Sequence, residues 1–166
     1  MTVVLVLASA LMIFLQDKPG VPDARTHNAH ALMNERGEHA MGFSQTATTH
    51  HFLLKPDGGV IQVEVNDPKD TGNRNNIRMH LEHIAKMFAA GDFDIPMFVH
   101  DTVPPGVAEM TQLQKRIRYT FEETPNGGRV TIGTTDKTAI DAIHRFLRFQ
   151  IQEHHTGDSQ QQDGKP

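Results

Sequence analysis

The chain has 166 residues, a formal net charge of −4 and no cysteine. That leaves room for one modest domain, excludes disulfides and thiolate chemistry, and denies nucleic acid the basic stripe that phosphates require. Hydrophobic residues at 37% and charged residues at 22% fit a soluble globular core and are too apolar for a fully disordered chain.

Eleven histidines and eight methionines stand beside the missing cysteine. Imidazole and thioether are then the softer metal ligands available; both suit copper, and imidazole also suits zinc.

In chain order, residues 1–16 read as a signal peptide or membrane anchor. The apolar run Thr2 to Leu15 has the length of a signal-peptide core and falls short of the ~20 residues that span a bilayer. A basic segment ahead of it is missing, and "ASA" at Ala8 to Ala10 lies inside the run. "DKPGVP", Asp17 to Pro22, stops a helix and opens a linker. The expected location is periplasmic or extracellular, with a possible membrane tether through residues 2–15. Residues 17–45 are polar and poorly periodic, with His27, His30 and His39 scattered through them, and are expected to be a linker or lead-in.

Residues 46–157 are expected to form a single domain. "FLLKPDGGVIQVEVND" (Phe52 to Asp67) returns without a gap as "FEETPNGGRVTIGTTD" (Phe121 to Asp136). Each copy precedes a helical pattern, which predicts a ββα unit used twice, over about 48–90 and 115–155. Asp57-Gly58 and Asn126-Gly127 supply the hairpin turns, with Pro56 and Pro125 leading in. Strand alternation then puts His50, Phe52 and Leu54 on one face with Ile61, Val63 and Val65, and Ile117, Tyr119 and Phe121 with Val130 and Ile132. His51, Lys55, Gln62 and Glu64 fall on the wet face. A helix over Arg74 to Ala90 turns Ile77, Leu81, Ile84 and Phe88 inward, and Gly91 stops it. "PPGVAEMTQLQK", Pro104 to Lys115, predicts a short helix. A second long helix over Lys137 to His154 turns Ile140, Ile143, Leu147 and Ile151 inward. Residues 158–166 read as a disordered tail. The fold class expected is α+β: a four-stranded antiparallel sheet from two ββα repeats, with helices on one face, behind an N-terminal signal or anchor segment.

The histidines carry the chemistry. In "RMHLEHIAKMF", residues 78–88, His80 and His83 lie three apart on a helix, with Met87 four further on. Imidazoles at that spacing can share a metal ion if further ligands come from elsewhere. His50 is turned toward the helices. His100 follows an apolar run, with Asp101 beside it as an orienting or ligating carboxylate. The metal-ligand candidates are His50, His51, His80, His83 and His100, with Met41, Met97 and Met110 as soft options. Of His154 and His155 at most one joins, since neighbouring positions face different ways. Each also has an ordinary explanation: His80 and His83 as the polar edge of a helix, His50 as a bonded core histidine, His154 and His155 as helix-terminal side chains facing free carbonyls.

Other chemistries lack their parts. The paired glycines are turn residues with no phosphate-binding Lys and helix after them. No G-x-S-x-G elbow occurs, and "FSQTATTHHF" gives sequence nearness without triad geometry. The function expected is a small exported or tethered transition-metal-binding protein, for copper or zinc and possibly haem, although C-x-x-C-H is missing. The alternatives are a metal-dependent hydrolytic enzyme and an extracytoplasmic interaction module without metal. A binding role ranks above an enzymatic one, and no nucleic-acid partner is expected.

Overall fold

The computed structural model describes residues 24–162. The expected signal or anchor and residues 17–23 of the linker lie outside that range, as do residues 163–166 of the tail. No helix among the described residues is long and apolar enough to cross a membrane.

The described residues form an α+β fold with one four-stranded antiparallel sheet and five helices. The elements run α1 (Ala24–Met41), β1 (Thr48–Lys55), β2 (Gly58–Val65), α2 (Thr71–Ala89), α3 (Asp94–His100), α4 (Val107–Gln112), a short 3₁₀ turn (Gln114–Arg116), β3 (Arg118–Thr124), β4 (Gly127–Gly133) and α5 (Lys137–Glu153). The strand order is β1-β2-β4-β3.

The hairpin corners differ from expectation by one residue. Lys55 pairs with Gly58 and Thr124 with Gly127, so Pro56-Asp57 and Pro125-Asn126 form the turns and the glycines close them. Proline's fixed φ suits the first corner position. Gly58 has φ 144° and sits against the Ile132 carbonyl, where a Cβ would collide. The slip moves the register by two and leaves facing unchanged. His50, Phe52 and Leu54 share a face with Val63, Ile61 and Gly59, and Tyr119 and Phe121 with Ile132 and Val130.

At the centre of the sheet, Ile61 pairs with Val130, its counterpart in the second sequence copy. Asp57 O accepts from Thr134 N at 2.9 Å, and the matching Asn126 O accepts from Val65 N at 2.9 Å.

The helices cover the sheet crosswise. α2, which follows β1 and β2, packs mainly on β4 and β3; α5, which follows β3 and β4, packs on β1 and β2. Gly59 lies under Leu147 of α5 and Gly128 under Leu81 of α2, so the missing Cβ atoms let each helix approach the strands. Ile77, Leu81, Ile84 and Phe88 are buried as expected; on α5 the core takes Ile143, Leu147 and Ile151 with Ala139, Ala142 and Phe146, while Ile140 is half-buried. Asp136 caps α5, accepting from Thr138 N at 2.9 Å and Ala139 N at 3.2 Å. Its sequence counterpart Asp67 instead accepts from Lys69 N at 2.9 Å in a turn, and Asp70 caps α2 through Asn73 N at 3.0 Å.

Three segments carry more structure than their sequence signals. The lead-in is helix α1, held by Arg36 Nε donating to Val99 O at 2.9 Å, by Gln45 Nε2 donating to Asn34 O at 3.2 Å, and by the burial of Met33. "DIPMFVH", the apolar run that ends at His100, forms helix α3. The start of the tail lies along the domain: Asp158 accepts from Phe52 N at 2.9 Å, and Gln160 O accepts from Arg148 Nε at 3.0 Å.

Candidate functional site

One cavity of about 70 Å³ lies between the inner sheet face and the helices. His50 reaches it from β1, His80 from α2, His100 from the last position of α3, and His154 from the cap that ends α5. Met41, at the end of α1, adds a thioether. Among the described residues, no Asp, Glu, Lys or Arg lines the cavity.

The rings form a connected stack. His50 and His154 lie parallel, centroids 5.6 Å apart and planes at 5°. His100 meets His154 edge-on at 5.0 Å. Phe43 stacks on His50 at 5.9 Å and meets His80 edge-on at 5.6 Å, which places His50 and His80 about one aromatic ring.

Burial sets the charge state. Desolvation, followed by the neighbouring His51, lowers the His50 pKa to about 4. Desolvation, then His50 and His83, lowers His80 to about 4. Burial also lowers His100, against the opposing pull of the Gln150 hydrogen bond and Glu153. Each imidazole is therefore neutral at neutral pH, and a neutral imidazole keeps one nitrogen lone pair.

Two ring nitrogens, His50 Nε2 and His100 Nδ1, are buried with no hydrogen-bond partner among the described residues, as is Gln150 Nε2. His100 Nε2 lies 3.0 Å from Gln150 Oε1; with that oxygen accepting, the proton sits on Nε2 and the lone pair on Nδ1. An unmet buried polar atom costs roughly 1–3 kcal/mol, so a pair at one cavity points to a missing partner.

Of the residues singled out from sequence, His50, His80 and His100 come together here, with Met41 beside them. His83 is exposed, one helical step off the inward stripe. His51 points to the other side of the sheet, its Nδ1 2.9 Å from Asp158 Oδ1. Met110 is fully buried in the core and Met97 does not line the cavity. Asp101 is exposed, in the left-handed conformation that ends α3, and Gln150 takes the orienting contact with His100. His154 rather than His155 joins; the spacing 143-147-150-154 continues the inward stripe of α5 and carries that signal. Gln150, polar on the same stripe, was the other readable mark. Among the described residues, no three of His, Asp or Glu converge closely enough to hold a metal ion as they stand.

Comparison with family models, curated proteins and solved structures gives no match.

Proposed function

We propose that this is an exported or membrane-tethered protein that binds one transition-metal ion, copper or zinc, in the histidine-lined cavity. The observation that carries the reading is the pair of buried, unpartnered nitrogens, His50 Nε2 and His100 Nδ1. His80 and His154 complete the donor set, and rotation of imidazoles about χ2, a soft torsion, brings donors onto one ion. A 70 Å³ cavity favours a single ion over haem, since organic ligands and cofactors occupy roughly 300–1,000 Å³. It also supports binding over hydrolysis, because no carboxylate lines it to serve as a general base.

The location rests on the apolar run Thr2 to Leu15. The two ββα units are a duplicated repeat in this reading, supported by the Ile61–Val130 pairing of matching positions and by the matched turn bonds of Asp57 and Asn126.

The test is calorimetric titration of copper and zinc into protein purified without a His-tag. One equivalent should bind; His50→Ala and His100→Ala should remove binding, while His83→Ala and His51→Ala should leave it intact. Equal affinity in wild type and His50→Ala would overturn the site. A fusion of residues 1–25 to a reporter should leave the cytoplasm, and retention there would overturn the location.

A further inference from the structure

Resting on the metal-binding reading above, we propose that the cavity takes copper as Cu(I), in preference to Cu(II) or Zn(II). Its donors are the neutral imidazoles of His50, His80 and His100, the imidazole of His154 and the thioether of Met41. No anionic side chain among the described residues lines it, so an entering ion keeps its full charge in an apolar setting. The desolvation cost of an ion rises with the square of its charge, so a divalent ion loses about four times as much as a monovalent one here. The side-chain charges felt at His100, Glu153 and Arg36, act in opposite directions.

Ligand softness and number point the same way. Thioether sulfur is a soft donor that selects Cu(I), whereas hard carboxylate and water oxygens are what the apolar lining excludes. Zn(II) is held by four donors in a tetrahedron, with water or an anion completing the shell where protein ligands fall short. Cu(I) is satisfied by two or three donors, and two unpartnered imidazole nitrogens belong to residues that line the cavity. The phenyl rings of Phe43 and Phe52 flank His50 and add to the apolar surroundings of that donor.

The experiment uses the full chain without a tag, under anaerobic conditions, with Cu(I) held by a chromophoric chelator as competitor and Zn(II) measured in parallel. One equivalent of Cu(I) should bind at least ~100-fold tighter than Zn(II), a difference of about 2.7 kcal/mol. Met41→Leu should weaken Cu(I) about tenfold and leave Zn(II) unchanged; His50→Gln, which keeps a polar side chain of similar size, should abolish Cu(I) binding. Urea unfolding of each variant confirms that it folds, and His100→Gln replaces His50→Gln if the latter does not. Zn(II) binding as tightly as Cu(I), and dependent on the same histidines, would overturn the selectivity while the metal site stood. A Met41→Leu variant with unchanged Cu(I) affinity would overturn the thioether's part. Binding of neither ion would overturn both this inference and the reading it rests on.

Discussion

Arg78 and His144 do the same work at matching places in the two halves of the molecule. His144, buried on α5, shares its Nε2–H between Lys55 O at 2.9 Å and Gly58 O at 3.0 Å, the carbonyls flanking the first hairpin turn. Arg78, on α2, donates through Nε to Gly127 O at 3.0 Å and through Nη2 to Thr124 O at 2.7 Å, the carbonyls flanking the second. Two side chains of different chemistry have the same targets, because each helix meets the other half's hairpin in the same way.

Loss of either clamp should destabilise the fold. His144→Ala leaves two buried carbonyls unmet and a side-chain cavity, and should cost roughly 2–4 kcal/mol. Arg78→Ala, at a site where water can replace the guanidinium, should cost roughly 1–2 kcal/mol. Urea denaturation reads both; a His144→Ala protein as stable as wild type would show that the α5 clamp contributes nothing.

Acid should weaken the fold in a defined window. His50 and His80 titrate near 4 in the folded protein and near 6.5 when unfolded, so between those values the unfolded chain holds more protons. Their contribution is fully present above pH 6.5 and is lost as pH falls toward 4. Tm should drop by several degrees across that interval, and His50→Phe, which cannot take up a proton, should flatten the drop. A Tm independent of pH from 7 to 4 would contradict the burial of these rings.

Asp158 acts at lower pH. Burial raises its carboxyl pKa, but the hydrogen bonds from the Phe52 amide and His51 outweigh that and hold it below the ordinary value of 3.8. Its contribution is present above the unfolded value and is lost as pH falls through the folded one. Asp158→Ala uncovers an outward-facing amide on edge strand β1 and should cost roughly 1–2 kcal/mol near neutrality. The difference from wild type should shrink below pH 3.8, and hydrogen exchange at Phe52 N should speed up.

The two inner-face glycines should tolerate alanine unequally. A Cβ at Gly59 meets Leu147 and the Leu53 carbonyl oxygen at 2.7 Å, so backbone as well as side chain must give way. At Gly128 it meets the Phe121 ring at 2.8 Å and Leu81 at 3.3 Å, both of them side chains. Gly59→Ala should cost roughly 1–3 kcal/mol and Gly128→Ala less. Thermal unfolding of the two variants checks the order.

Much of this architecture is legible in the sequence because hairpin alternation survives small errors. The corner was expected one residue late, yet the inward set on β1 and β2 came out unchanged, since a shift of register by two preserves facing. Helix α1 was not legible: its hold on the domain is largely polar, through Arg36 and Gln45, and polar contacts leave no periodicity. The cavity was partly legible. His50 followed from strand parity and His80 from helix spacing, but His83, three residues on, is rotated out to solvent. His144 was not legible, since a lone histidine on a helix says nothing of the two carbonyls it meets.

The crosswise roofing of the sheet bears on how the chain folds. Neither half can complete a core by itself, because the helix that follows each hairpin lies mainly over the other. Hairpins form early and locally, but the layer that locks them needs contacts far apart in sequence, which slows the final step. The same exchange permits a partnership between molecules. If the link from Thr134 to Asp136 straightened, α5 of one copy could roof β1 and β2 of another, and His144 would regain the same two carbonyls across the boundary. A swapped dimer of this kind would keep two complete cavities, each built from both chains.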